Sequence, residues 1–459
     1  MGDFAQRGRQ WARAGKHAAF LQHISRVQSL EDRLELVEQH RMWGQVIERQ
    51  AAKHPIRRPA SARAGGKHRI GFLSSDLRNH PVGYFALPVL EFADRERFEV
   101  YCYSFYTGQE DGTQKYIASK IDHFRWRKDI SDRDAAQMIA DDDLDILFEL
   151  GGSTHMNKID VMAYRPAPLQ ASWLGYPHSV GLSTIDYLLT DPYITPPDAR
   201  MLIEQPLIMP KTWIALGRLP SATSRPSIRR RRSRATASSP SARPTTRINT
   251  PPRCWPSGPG WWRPCPARSS CSCGPRAGVR TFRENMLAAF AAEGVSADRV
   301  RFEAVRGAHL PFYNEIDISL DSFPLTGGTT TCEALWMGVP VVSLVGEAFF
   351  ERLSHSILNN AGLGHLSTRS IEAYVEAAMA LAADPEQRRT IRETLRDRIK
   401  AGAARRHPRL RPRFLRPDGA DDREPPARPD PHVSQRKICP RASGPAGAKV
   451  SPPLPSGKA

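Results

Sequence analysis

The sequence predicts an α/β protein built on parallel, doubly wound sheet, and two observations carry that expectation. From His68 to Thr190, short apolar runs rich in β-branched and aromatic residues alternate with helical patterns. Farther on, Ile316–Leu344 repeats the theme as strand, glycine turn, helix and strand. A third observation limits the prediction. The pattern fails over 212–280 and again from 401 to the end, where Arg, Pro, Ser and Ala crowd out Leu, Ile and Val.

In chain order, Met1–Gln50 carries helical patterns. In Leu30–Arg49, the residues Leu34, Leu36, Val37, Trp43 and Val46 form an amphipathic stripe that packs on the next part of the chain. Ala51–Lys67 reads as a linker. Strands are expected at Ile70–Ser74 and Phe98–Ser104, at Leu144–Leu150 (ending in Gly151-Gly152), and at Leu169–Leu174 and Tyr187–Thr190. Helices are expected at Tyr84–Phe92 and Ser131–Asp141. Thr212–Arg280 has no periodicity and cannot bury a core, so it is expected to be disordered. Order resumes with helix 281–293, strand Val300–Glu303, helix Leu310–Tyr313 and the Ile316 unit. Helices Leu353–Asn360, Ile371–Ala383 and Pro385–Lys400 come next, then a disordered tail over 401–459. The expected organisation is therefore a helical segment with linker (1–65), two α/β domains (66–211 and 281–400), and two stretches without structure.

The net charge of +18 resembles a nucleic-acid signal until it is located. Residues 212–280 hold 14 arginines and no Asp, Glu or Lys, and 401–459 hold 13 basic against 5 acidic residues. What remains is mildly acidic, so neither nucleic acid nor a membrane surface is the expected partner of the folded part. Four of the seven cysteines (Cys254, Cys265, Cys271 and Cys273) fall in the arginine-rich stretch without zinc-site spacing, and no metal is expected. No secretory pattern or membrane-spanning run is visible, which makes a cytoplasmic protein the expectation. Two abrupt losses of pattern into Arg- and Pro-rich text are what reading-frame slips in a GC-rich gene would produce. Resequencing both junctions tests this, and an uninterrupted frame sinks it.

The chemistry sits in the turn after Ile316–Leu320. Asp321 and a Pro-Leu turn lead to Gly327 and Gly328. Thr329, Thr330 and Thr331 then open a helix over Cys332–Met337, Gly338 stops it, and Val339–Leu344 is the next strand. A helix start has unpaired N–H groups and partial positive charge, and glycines let a ligand approach the backbone. This is a phosphate cradle without a Walker lysine, with Glu333 one turn in and within reach of a sugar hydroxyl. A Thr-capped core helix with a surface acid is the other reading of the same residues.

Three segments resemble one family. Arg69–Phe85 (RIGFLSSDLRNHPVGYF), Tyr164–Tyr176 (YRPAPLQASWLGY) with Asp186-Tyr187 and Thr190-Asp191, and His309–Asp321 with Gly327–Pro340 resemble, in order, signatures of the O-linked N-acetylglucosamine transferases and the SPINDLY-type proteins. The resemblance implies the GT-B architecture, two Rossmann-like domains facing a cleft, here with a disordered insertion and tail. It implies an inverting, metal-independent glycosyltransferase that moves N-acetylglucosamine from UDP-GlcNAc to Ser or Thr of an acceptor protein, with no cofactor beyond the UDP-sugar.

By matching positions, the resemblance implies His80 as a base or acceptor-side contact and His123 as a second active-site histidine. An unperturbed imidazole titrates near pH ~6.5, suited to proton transfer. His309 matches a nucleotide contact, and Arg306 a cation facing the diphosphate. Gly328, Thr329 and Thr330 match the diphosphate turn, and Glu333 the acid on the ribose. Gly152, Ser153, Thr154, Trp173, Gly175 and Tyr176 match loops facing the cleft or tight packing. Without the family, His80 reads as a helix-start histidine.

One departure matters. The family's diphosphate lysine belongs in the interval that is arginine-rich here, and no lysine occurs between Lys211 and Lys400. The alternatives are therefore a different nucleotide sugar on the same fold, carrying fucose or glucose, or an inactive pseudoenzyme. Polyanion binding through Arg229–Arg232 is a further one.

Overall fold

The computed structural model describes residues 2–13, 20–59, 65–215, 245–248, 269–273, 279–303 and 309–406, all within one compact unit, Met1–Pro408. Three helices open it: α1 Gly2–Arg13, α2 Phe20–Ile24 and α3 Leu30–Ala51. The Ser29 hydroxyl accepts the Asp32 N–H at 3.1 Å, and the Asp32 carboxylate accepts the Ser29 N–H at 3.2 Å. That reciprocal box fixes where α3 starts. Of the expected stripe, Leu36, Val37 and Trp43 are buried, joined by His40 and Ile47.

The first α/β layer runs β1 His68–Leu73, α4 Pro81–Phe92, β2 Phe98–Ser104, α5 Gly112–Ala118, β3 His123–Trp126, α6 Asp132–Asp141, β4 Ile146–Glu149, β5 Leu169–Ser172, β6 Tyr187–Thr190 and β7 Gln205–Ile208. Its seven strands are parallel in the order β3-β2-β1-β4-β5-β6-β7. The order reverses between β1 and β4, which opens a crevice at their carboxyl ends. The sequence pattern did not reveal α5, β3 or β7. The four residues of β3 are all half-buried and include no apolar run, and β7 is a wholly exposed edge whose short apolar run begins with Pro206.

The second layer runs β8 Thr245–Ile248, β9 Ser269–Cys273, α7 Arg280–Ala292, β10 Val300–Glu303, β11 Ile318–Leu320, α8 Thr329–Trp336, β12 Val341–Leu344, α9 Leu353–Asn360, β13 Ser367–Thr368, α10 Ile371–Ala383 and α11 Pro385–Arg406. The expected helix at Leu310–Tyr313 is a 3-10 turn, Leu310–Glu315. The six strands, again parallel, lie in the order β10-β9-β8-β11-β12-β13.

Two of these strands correct an expectation, because β8 and β9 come from the stretch read as unable to form regular structure. Thr246 pairs with Ile318 and Ser270 with Val300, in the middle of the sheet. A ladder uses only backbone N–H and C=O groups, so a polar segment can complete it between two apolar neighbours. Trp213 and Ile214, at the start of that stretch, are buried. The rest of it (216–244, 249–268, 274–278) and residues 407–459 lie outside the described residues.

The two layers meet along a seam centred on Asp191, a fully buried residue just after β6. Its Oδ1 accepts the N–H groups of Tyr193 and Ile194, both at 2.9 Å. Its Oδ2 accepts the Trp213 N–H at 3.1 Å and the Ser356 hydroxyl on α9 at 2.5 Å. Arg352 donates from Nε to the Tyr193 carbonyl at 3.0 Å, and Phe349 meets the edge of Trp213 at 5.7 Å. One core cluster accordingly runs through both layers.

Candidate active site

The glycine–threonine turn is built from the strand that precedes it. β11 leads into Asp321, whose buried carboxylate accepts the N–H groups of Ser322 and Gly327 at 2.9 Å and the Ser343 hydroxyl at 2.8 Å. Burial pushes its pKa above the ordinary carboxylate range. Gly327 has no room for a side chain: a Cβ would lie 2.5 Å from Thr331 Oγ1 and 2.7 Å from Thr330 Oγ1. At Gly328 a Cβ would meet nothing within 4 Å, so that face of the turn is open.

The helix behind the turn starts without a cap. Gly328 is the N-cap of α8, and no side chain among the described residues closes its first amides. The three threonines part company here. Thr331 is buried, with Oγ1 2.7 Å from Ser354 Oγ, whereas the hydroxyls of Thr329 and Thr330 have no partner among the described residues. Glu333, also buried, bonds through Oε2 to His309 Nε2 at 2.8 Å and to the Tyr313 hydroxyl at 3.4 Å. Tyr313 also donates to the Thr330 carbonyl at 3.2 Å. His309, Glu333 and the turn are thus one cluster, while Arg306 lies outside the described residues.

His80 stands at the start of α4, past the carboxyl end of β1. Its Nδ1 accepts the Val82 N–H at 3.3 Å and lies 3.6 Å from Asp76 Oδ2. Burial lowers the imidazole's pKa, with Asp76 opposing the shift and Arg78 adding to it. The ring is neutral at pH 7. With Nδ1 accepting, its hydrogen is assigned to Nε2. Asp76 is itself held by its N–H to Ser74 Oγ at 3.0 Å and by Arg78 at 2.8 Å. One turn farther along α4, the Tyr84 hydroxyl donates to Asn79 Oδ1. Burial raises the pKa of Tyr84, and the charges of Asp111 and then of Glu333 raise it further.

The loops after β4 and β5 are held by packing. The buried Glu149 carboxyl accepts the N–H groups of Gly151 at 3.0 Å and Gly152 at 2.5 Å and the Ser172 hydroxyl. Burial pushes its pKa up to about 7. Gly152 sits at φ +49° with a Cβ position 2.4 Å from Tyr176, and at Gly175 a Cβ would lie 2.2 Å from the Leu150 carbonyl. Ser153 is buried, Thr154 donates to the Gly151 carbonyl at 2.7 Å, and Trp173 donates from Nε1 to the Trp213 carbonyl at 2.7 Å. Tyr176 places its hydroxyl 2.6 Å from His40 Nε2. These six residues shape the first-domain wall.

The structure does not bring His123 to the cleft. It begins β3, the outermost strand, with Nε2 2.8 Å from Glu99 Oε1 and its ring stacked on Tyr101 at 4.2 Å. Glu99 is also held by Arg69 at 2.9 Å. That network lies back along the strands from their carboxyl ends. A histidine three residues before an aromatic strand position carries no signal of which end of the sheet it occupies. Asp76, which contacts His80, and the bonded pair Asn79 and Tyr84 were not singled out by the sequence motifs, although they flank His80 in the chain. The period of α4, with residues 80 and 84 on one face, was the available signal.

Residues 29–217 and 279–404, more than half of the chain, match the family model described as Glycosyl transferase family 41. The probable UDP-N-acetylglucosamine–peptide N-acetylglucosaminyltransferase SPINDLY of Arabidopsis thaliana is 31% identical over 351 residues, which cover 73% of this chain and 37% of that protein. SEC, a second such protein of the same plant, is 28% identical over 366 residues, covering 75% of this chain and 36% of it. The chain therefore spans little more than a third of the length of these curated relatives. Among solved structures, a point mutant of the Thermobaculum terrenum O-GlcNAc transferase aligns with a TM-score of 0.68 at 25% identity, over 87% of this chain and 80% of that one. By the match over both α/β layers, the chain belongs to glycosyl transferase family 41.

Proposed function

We propose that this chain is a glycosyltransferase that moves N-acetylglucosamine from UDP-GlcNAc to a Ser or Thr hydroxyl of an acceptor protein, with inversion at the anomeric carbon. The relatives' names supply the donor and the class of acceptor. The observation that carries the reading is the uncapped start of α8 at Gly328–Thr330.

In this reading the pyrophosphate lies on the open side of Gly328. The free amides and the hydroxyls of Thr329 and Thr330 meet the charge that grows on the departing UDP. The cluster of Glu333 and His309 is one turn away, where ribose hydroxyls would lie. The acceptor oxygen forms its bond to the anomeric carbon as the bond to the phosphate oxygen breaks on the opposite face. The hydroxyl proton passes to water as that bond forms, and His80, which carries its hydrogen on Nε2, orients the acceptor oxygen by donating to it. Charge stabilisation by amides and hydroxyls needs no bound metal ion.

Thr330→Val removes a hydroxyl from a charged partner, and a hydrogen bond of that kind is worth ~1.5–3 kcal/mol. Calorimetric titration with UDP is expected to show a loss of at least about tenfold. Equal affinities for wild type and variant would end the reading.

A specific observation supports a second reading. No lysine lies between Lys211 and Lys400, so a chain that binds UDP-sugar without turning it over is the alternative. Assaying several nucleotide sugars for hydrolysis alongside UDP titration separates the two, and it also identifies the sugar.

A further inference from the structure

We infer that Arg33, on the amino-terminal helix α3, is a positioning residue for the glycine–threonine turn and acts through Glu351. Arg33 donates from Nε to Glu351 Oε2 at 2.7 Å and from Nη2 to Oε1, a two-pronged pair with side chains only 15% and 5% exposed. The same Glu351 accepts the N–H groups of Glu347 at 3.0 Å and Ala348 at 2.8 Å, so it ties the 347–351 turn to α3. The adjoining residues back the nucleotide turn directly. The Phe350 carbonyl accepts both the N–H of Thr326 at 3.0 Å and its hydroxyl at 3.1 Å. Ser354 donates to the Gly327 carbonyl at 2.8 Å and meets Thr331 Oγ1 at 2.7 Å.

The other end of this linkage is fixed in the first layer. α3 is anchored there by His40 on the Tyr176 hydroxyl and by Glu48, which accepts from the N–H of Ser183 at 2.5 Å and its hydroxyl at 2.9 Å. Gly44 lies so close to Gly181 that a Cβ would fall 1.8 Å from the Gly181 carbonyl oxygen. One small buried cluster joins the three parts: Ile24 and Leu36 from the helices, Tyr176 and Met201 from the first layer, and Ala348 and Phe350 from the second. The helix therefore acts as a strut. It rests along the first layer and reaches across to the segment that holds the turn, so the turn's position depends on α3 as well as on its own domain. A movement of α3 would reach the turn through this guanidinium–carboxylate pair and the cluster around Phe350.

This inference rests on the turn being the nucleotide site, and the test separates the two. Amide hydrogen exchange of Arg33→Met is compared with wild type in the absence of ligand, and UDP affinity is then measured for both. Expected are roughly tenfold faster exchange at Thr326–Thr331 with β11 and β12 unchanged, and roughly tenfold weaker UDP binding, with Arg33→Lys between the two. Unchanged exchange at Thr326–Thr331 overturns the inference. So does uniform acceleration across the second layer, which marks general destabilisation from an unpaired buried carboxylate. If the exchange pattern holds but wild type binds no UDP, the positioning role stands and the proposed function fails.

Discussion

Two helix starts face the cleft, and they end in opposite ways. α4 follows β1 with His80 as its N-cap, an imidazole nitrogen on the Val82 N–H and Pro81 removing one amide donor. α8 follows β11 with Gly328 as its N-cap and, among the described residues, no side chain on its amides. The first helix has satisfied its own end; the second leaves its donors to a ligand. Both follow strands that border the point where strand order reverses, so the difference lies in the capping residue alone. A helix start is a binding site only where the chain has declined to cap it.

Breaking the comparison from the α4 side should have the largest effect. His80→Ala is expected to lower turnover by about 10²-fold or more while leaving UDP affinity nearly unchanged, as measured by steady-state rates beside calorimetry. A matching loss of affinity would mean that the two helix starts do not divide the work.

The next effect comes from making α8 resemble α4. Gly328→Asp supplies a cap and a negative charge where the diphosphate is expected. UDP binding should fall by about 10²-fold even as the protein gains about 1 kcal/mol of stability. Gly328→Ala is the control, since its methyl enters open space and should cost only a few-fold. Retained binding in the aspartate variant would show that the phosphate lies elsewhere.

The smallest effect concerns the acids that hold the two walls. Glu149 at the end of β4 and Asp321 just after β11 do the same task, each accepting two backbone N–H groups and a serine hydroxyl. Burial raises the pKa of both, that of Glu149 from 4.5 to about 7. A raised folded-state pKa gives stability that is full below pH 4.5 and lost as pH rises through about 7. Glu149→Gln keeps an acceptor for the glycine amides but does not titrate. Urea denaturation should find the variant gaining on wild type between about pH 5 and pH 8, by about 1–3 kcal/mol. A constant gap would mean that Glu149 does not titrate there.

Much of the fold was legible because its core elements obey a period. Phe98–Ser104, Tyr187–Thr190, Leu353–Asn360 and Ile371–Ala383 coincide with the expected residues, each apolar enough to announce a strand or a buried helix face. The elements that escaped, β3, β7, α5, β8 and β9, are short, exposed or polar, and owe their existence to a neighbour's backbone. At the site, the Gly327–Thr331 turn and Glu333 could be read locally. His123 could not, because local sequence says nothing about which end of a sheet a strand residue occupies.

The sequence by itself determined the alternation of strands and helices, the glycine–threonine turn ahead of a helix and the absence of a lysine between Lys211 and Lys400, since each is a property of adjacent residues. Only the tertiary structure decided that His309 shares Glu333 with Tyr313, that Thr331 turns inward while Thr329 and Thr330 stay open, and that Arg33 reaches Glu351 across more than three hundred residues of chain. The physical reason is that hydrogen bonds and charge pairs depend on distance in space. The order of strands in the two sheets, which no local pattern encodes, sets those distances.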